Sequence, residues 1–136
     1  MTPDALAALH RAAFGDAHGW RTADFEELLP QPGTFLITAP GGFALGRAIA
    51  GEAELLTICT DPAQRRQGIA AHVLQGFAAK ARDLGAREAF LEVAEDNAPA
   101  QALYARDGWR EVARRKGYYR REGAVAADAL ILRRGL

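Results

Sequence analysis

Five places in the chain carry residue types that could do chemistry. The first is Arg65-Arg66-Gln67-Gly68-Ile69-Ala70, which follows an apolar run and opens a helical one. A helix N-terminus has four unpaired N–H groups and partial positive charge, so its first turn ordinarily attracts an acid. Here it receives two arginines, a glutamine and a glycine, which leaves the end open to an external anion. Gly68 and the small Ala70 allow close approach to the main chain, and phosphate is the anion such an end suits. The nucleoside-triphosphate loop is excluded, because no Gly-Lys-Ser/Thr ending follows. The same residues also fit an ordinary exposed loop with solvated arginines.

Glu92 is the second. In Ala89-Phe90-Leu91-Glu92-Val93-Ala94 both alternating sets of a strand are apolar, so neither face reads as solvent-exposed and the carboxylate is expected among apolar neighbours. Desolvation would raise its pKa towards neutrality, where a general base works. The alternative is a strand-end glutamate that reaches water or an arginine. Asn97, the third, stands where a helix N-cap belongs and needs no other role. Tyr104, seven residues on, lies about two helical turns along; it is either a core residue showing its hydroxyl at a surface or a proton donor. Cys59, in an apolar strand with no histidine near it in sequence, reads as a small buried hydrophobe.

The elements that must position these residues follow from periodicity and punctuation. Thr2-Pro3 caps a helix that runs to about Phe14, and a second short helix starts at Thr22 and ends before Pro30 and Pro32. Residues 34–50 read as two antiparallel strands around Pro40-Gly41-Gly42, and residues 53–60 as a third strand stopped by Asp61-Pro62. Apolar positions 69, 70, 73, 74, 77, 78 and 81 make an amphipathic helix from Gln67 to about Asp83, closed by Gly85. A buried strand at 87–94 and a helix after Asn97 follow. The chain finishes as a hairpin with strands near 109–118 and 125–133. This order, with a strand-helix-strand unit at its centre, gives a layered α/β or α+β domain spanning residues 1–136.

Composition narrows the function. A chain of 136 residues with 49% hydrophobic residues can bury one substantial core. Basic and acidic residues balance at 17 each, which speaks against general nucleic-acid affinity. The balance hides a gradient: residues 1–63 hold three arginines and eight acids, residues 106–136 nine Lys or Arg and four acids. The two ends are either separate solvated faces, or the acidic one receives a basic partner. One cysteine excludes a disulfide framework, and His10, His18 and His72 lack metal-ligand spacing, so no metal is expected. With no apolar run long enough to span a membrane and no signal-like start, a cytoplasmic protein without membrane contact is expected.

Taken together, these residues resemble the GNAT superfamily of acetyl-CoA-dependent N-acetyltransferases, over nearly the whole chain. The likeness rests on strand, Arg65-x-x-Gly68-x-Ala70, helix and strand, on ICTDP at 58–62, LEVAEDN at 91–97, ALYARDGW at 102–109 and KGYYR at 116–120, and on Trp20 and Phe25 in the second helix. It is narrowest with the bacterial branch that acetylates the N-terminal alanine of a ribosomal protein. The resemblance implies a single mixed, mostly antiparallel sheet flanked by about four helices and splayed between the fourth and fifth family strands, here residues 53–60 and 87–94. The chain opens on a helix, so the first family strand is expected to be missing.

The same resemblance implies the site. The pyrophosphate of coenzyme A would sit on the N–H groups of Arg66, Gln67, Gly68, Ile69, Ala70 and Ala71. The pantetheine arm would lie along the main chain of Ile58, Cys59 and Thr60 and bond to Asn97, with N–H groups near Cys59 polarising the thioester carbonyl. Glu92 would accept the proton of the incoming ammonium and Tyr104, with a phenol pKa near 10, would protonate the departing thiolate. The acceptor implied is the N-terminal α-amine of a small-subunit ribosomal protein, attacked directly in a ternary complex by a monomeric enzyme. A small amine or a lysine side chain as acceptor, and a non-catalytic acyl-CoA-binding module, remain open alternatives.

Overall fold

In the computed structural model, which describes residues 1–136, each predicted element is present and most ends are set by identifiable caps. Helix α1 (Pro3–Phe14) starts where the Ala5 N–H donates to Thr2 Oγ1 at 3.1 Å and stops at Gly15 with φ of 88°. Helix α2 (Thr22–Leu28) is seeded by Asp24, whose carboxylate accepts from the Arg21 N–H at 2.8 Å. Trp20, expected inside this helix, precedes it in the loop from α1. Strands β1 (Thr34–Ala39) and β2 (Gly42–Ile49) form a hairpin, and β3 (Glu52–Thr60) pairs antiparallel with β2.

A single 3-10 turn at Pro62–Gln64 leads into α3 (Ile69–Asp83), followed by β4 (Glu88–Ala94), α4 (Ala98–Arg106), β5 (Arg110–Tyr119) and β6 (Ala127–Gly135). Helix α3 begins two residues later than its sequence suggests. Arg66 and Gly68 have φ of 66° and 77°, a left-handed conformation that no residue inside a right-handed helix can hold. The last strand is likewise displaced by about two residues, because the turn closed by Ala124 N–H on the Arg121 carbonyl takes up the chain before Ala127.

The six strands make one sheet in the order β1-β2-β3-β4-β6-β5, antiparallel throughout except for the central β3–β4 pair. Helices cover both faces. On one face α3 and α4 pack Val73, Leu74, Phe77, Ala81 and Tyr104 against Phe35, Leu55, Leu91, Val93, Leu130 and Leu132. On the other, Leu6, Ala7 and Phe25 from α1 and α2 cover Phe43, Leu45 and Cys59. The period of the α3 core positions is that of an amphipathic helix, and burying a residue the size of Phe77 contributes roughly 1.5–3 kcal/mol. No helix is long and apolar enough to cross a membrane.

The sheet has a break at its centre. Strands β3 and β4 pair only at Glu52–Glu88, Ala53–Ala89 and Glu54–Phe90. One residue beyond that pairing the β2–β3 register shifts, Gly46 facing Leu55 and Leu45 facing Thr57, which leaves Leu56 as the extra residue of a β-bulge. A bulge bends its strand and sharpens its twist. From there β3 stays on β2 while β4 follows β6, and the two strands part. The expected splay is therefore present, and the bulge at Leu56 stands where it begins.

Candidate active site in the gap between two strands

The gap has three walls. Residues 57–60 of β3 keep β2 on one side and have no strand on the other. Residues 91–94 of β4 pair with β6 alone. At the mouth lies the start of α3, where the first main-chain helix bond runs from the His72 N–H to the Gly68 carbonyl and no side chain caps the end. The N–H groups of Arg66, Gln67, Gly68, Ile69, Ala70 and Ala71, the six that the resemblance implies, donate to no acceptor within the protein. An open cleft of about 740 Å³ separates this end from the β1–β2 turn, with Ala39 and Pro40 on one bank and Gln67, Gly68, Ile69 and His72 on the other.

Gly68 is needed there for a reason of backbone geometry. It holds φ of 77°, and a Cβ built on it would meet nothing within 4 Å, so conformation and not crowding selects glycine. Consecutive residues around left-handed conformations turn their N–H groups into a concavity that receives anions. Arg65 and Arg66 bracket this concavity with charge.

Thr60, at the end of β3, has a buried Oγ1 with no hydrogen-bond partner. A buried hydroxyl without a partner costs free energy unless a ligand supplies one. Together with the edge of residues 57–60 that faces no strand, this is the fit expected for a slender amide-containing arm lying where a strand is missing. Asn97 caps α4, its Oδ1 accepting from the Ala100 N–H at 3.3 Å. That use leaves the Asn97 amide NH2 as the group able to donate outward. Cys59 is 4% exposed, faces the α1–α2 side, and has its thiol pushed up to about 12 by burial. It is a core residue, as its sequence context suggests.

Glu92 and Tyr104 lie on opposite sides of the sheet. Leu91 and Val93 point to the α3–α4 face with Tyr104, and Glu92 alternates to the other face. The side chain of Glu92 is 30% exposed, so the apolar enclosure expected from sequence is not there. The reason is visible on its own face: Phe90 lies half-buried under the Arg133 guanidinium, 5.3 Å from the ring centroid, and does not form a core. The alternative reading holds instead, since the Arg115 Nε sits 3.8 Å from Glu92 Oε1. Desolvation therefore gives no reason for Glu92 to act as a base; position has to.

Tyr104 is 5% exposed and packs edge-on to Trp109 with centroids 6.1 Å apart. Burial pushes its phenol up to about 12, above the value of about 10 assumed from sequence, so it stays protonated throughout the neutral range. The two candidate groups therefore lie on opposite faces of the sheet, one on β4 and one on the helix that follows it.

Sequence reasoning gave no role to two neighbours of Glu92, Tyr119 and Arg115, or to Arg121 beside Tyr119. Tyr119, at the end of β5, is half-buried, and its hydroxyl is pushed up first by burial and then by the negative charge of Glu92. Arg115 reaches Glu92 and lies 5.2 Å from the Tyr118 ring centroid. Arg121 holds Asp96 by two bonds of 2.7 and 2.9 Å, tying the β5–β6 turn to the loop before α4. The run KGYYR holds Tyr119 and is flanked by Arg115 and Arg121, and it names residue types without their partners.

Comparison with known proteins decides the family. Residues 4–109 match the acetyltransferase (GNAT) family. The chain belongs to the GNAT acetyltransferases.

Among relatives, it is 32% identical over 126 residues to the [ribosomal protein bS18]-alanine N-acetyltransferase of Escherichia coli K12, covering 87% of this chain and 82% of that protein. It is 34% identical over 137 residues to the N-alpha-acetyltransferase RimI of Mycobacterium tuberculosis, covering 94% and 83%. The crystal structure of the ribosomal-protein-S18-alanine N-acetyltransferase from Escherichia coli superposes with a TM-score of 0.86 at 25% identity over 98% of this chain and 86% of that one. A Bacillus subtilis acetyltransferase solved in complex with CoA shares the fold, with a TM-score of 0.79 at 18% identity, over 100% and 94% of the two chains. As a GNAT protein with relatives of RimI type, the chain is an acetyl-CoA-dependent N-acetyltransferase.

Proposed function

We propose that this enzyme moves the acetyl group of acetyl-CoA to the N-terminal α-amine of a protein, the N-terminal alanine of a small-subunit ribosomal protein being the acceptor its relatives favour. The observation that carries the reading is the parting of β3 from β4 immediately beside an uncapped helix end, with Glu92 and Tyr104 on either side of the opening. The diphosphate rests on the free N–H groups of Arg66 to Ala71. The arm runs along Ile58, Cys59 and Thr60, with Asn97 across from them. The thioester then lies in the gap with its carbonyl on main-chain N–H groups near Cys59, which stabilise the negative oxygen of the tetrahedral state.

The acceptor enters from the Glu92 side. Its ammonium must lose a proton before nitrogen can attack, and Glu92, exposed beside Arg115, receives that proton directly or through one water. The N–C bond forms at the thioester carbonyl carbon, the C–S bond breaks, and Tyr104 gives its proton to the leaving thiolate. Nitrogen releases a second proton as the amide forms, which returns the phenol to its neutral form through solvent. No acyl-enzyme is needed, and the buried, unreactive Cys59 offers none.

Acceptor charge is a further part of the reading. A cavity of about 340 Å³ beside α2 is lined by Trp20, Asp24, Glu27 and Leu28, within the acidic first half of the chain. That lining suits a basic side chain downstream of the acceptor amine, and the rate on basic peptides should fall as salt rises.

Thiol release with a panel of N-terminal peptides, lysine peptides and small amines tests the proposal. Turnover is expected on a free α-amine, with kcat lowered by about 10²-fold in Glu92→Gln and by about 10-fold in Tyr104→Phe. Undiminished turnover in both variants removes the assigned roles, and turnover confined to small amines removes the acceptor.

A further inference from the structure

Beneath the open half of β3 lies a buried polar link that the acetyl-transfer scheme does not use. His10, on α1, is 3% exposed. Its ring is stacked between Phe14 and Trp20, with centroids 4.4 and 5.1 Å away, and Phe25 meets it edge-on at 5.9 Å. The Trp20 main-chain N–H points at Nδ1, 3.0 Å away. A main-chain N–H can only donate, so Nδ1 is the acceptor and carries no proton. In the neutral ring the proton is then on Nε2, and Nε2 donates to Thr57 Oγ1 at 2.8 Å. Both ring nitrogens are satisfied in one tautomer, and that tautomer is fixed by a main-chain group.

Thr57 is the residue immediately after the bulged Leu56 and pairs with Leu45 on the far side of the register shift. It lies in the stretch of β3, from Leu55 onward, that has a strand on one side only. Leu56 and the buried Cys59 belong to the same face as the His10 rings, so the link braces β3 from below where the sheet no longer braces it from the side. Trp20, at the other end, stands in the loop that leads into α2 and lines the acidic cavity there.

We propose that His10 is a positioning residue for acetyl transfer, holding the bulge of β3 through Thr57 while it anchors the α1–α2 loop through the Trp20 main chain, so that the thioester-binding strand and the acceptor-binding loop are set by one imidazole. The inference rests on the reading that residues 58–60 carry the thioester. Burial pushes the His10 pKa down to about 4, opposed only by the charge of Asp24, so the ring keeps the one neutral tautomer across the working range. Removing the bond frees the main chain of residues 57–60 to move against the carbonyl it must polarise, and leaves the diphosphate site on α3 untouched.

Thr57→Val, which keeps the shape and deletes the acceptor, and Thr57→Ser, which restores it, separate a bond from mere packing. The expected result for Thr57→Val is a kcat about 10-fold lower with KM for acetyl-CoA within about twofold of wild type, amide exchange about 10-fold faster over residues 57–60, and near-complete recovery of both in Thr57→Ser. His10→Gln, with an amide donor near the Nε2 position, should fall between the two and serves if Thr57→Val does not fold. Wild-type kcat in Thr57→Val, or equal losses in Thr57→Val and Thr57→Ser, overturns the inference while leaving acetyl transfer standing. If the wild type releases no thiol with any acceptor, the functional reading fails and exchange decides the brace by itself: faster exchange in Thr57→Val supports it, and unchanged exchange overturns it.

Discussion

The two halves of the β3–β4 pair differ more than any other neighbouring parts of the molecule. At the closed half, Glu52, Ala53 and Glu54 pair with β4, and the Arg133 guanidinium donates to Glu52 at 2.8 Å and Glu88 at 3.2 Å while lying over the Phe90 ring. At the open half, residues 57–60 keep only β2 and residues 91–94 only β6, and the remaining support comes from the two faces of the sheet. A sheet satisfies its own main chain, and so has no place for a ligand; a parted sheet exchanges that self-sufficiency for unpaired groups at a fixed spacing. The closed half fixes where the strands start to part. The open half is where chemistry can enter.

Each half can be disturbed separately. The largest effect on stability should come from acid, through the support under the open half. His10 has an ordinary pKa of 6.5 and a folded value of about 4. Between those values the unfolded chain binds a proton that the native one does not, so stability falls as pH drops from 6.5 towards 4, by ~2–3 kcal/mol. Urea midpoints at pH 7 and pH 4.5 should show this slope in wild type and lose it in His10→Gln. An equal slope in both would place the sensitivity elsewhere.

At the boundary between the halves, Gly46→Ala should destabilise by about 1–3 kcal/mol. A Cβ there would lie 2.6 Å from Phe35 Cζ and 2.7 Å from Phe77 Cε1, two rings stacked with centroids 5.6 Å apart. Thermal melting reads the loss, and a neutral outcome would mean that these rings can separate. Smallest is the clamp itself. Its partners are half-exposed, so Arg133→Met should cost under ~1 kcal/mol, with the difference shrinking in high salt. A larger, salt-independent cost would make the clamp, and not the pairing, the element that closes this half.

Much of the architecture was legible because caps and breakers are local: Thr2-Pro3, Pro40-Gly41-Gly42, Asp61-Pro62 and Asn97 each mark a boundary within a few residues of its cause. The splay was not legible from periodicity, since a β-bulge at Leu56 changes no residue type, and only the family resemblance implied it. Glu92 was misjudged for a physical reason. Apolar residues in both alternating sets suggested burial on both faces, whereas Phe90 on the outer face is covered by an arginine guanidinium 43 positions further along the chain. His10 was invisible as a support, because its partner Thr57 is 47 residues away and neither type signals the other. Local chemistry could be read; pairings made across the fold could not.

Occupation of the open half by acetyl-CoA is the proposal on which every assigned role depends. Amide hydrogen exchange with and without acetyl-CoA tests it most directly, read peptide by peptide across the two strands and the start of α3. Slowed exchange at residues 57–60 and 68–71, with residues 52–54 and 88–90 unchanged, is the outcome expected. Protection confined to the closed half, or no change anywhere at saturating acetyl-CoA, would contradict it.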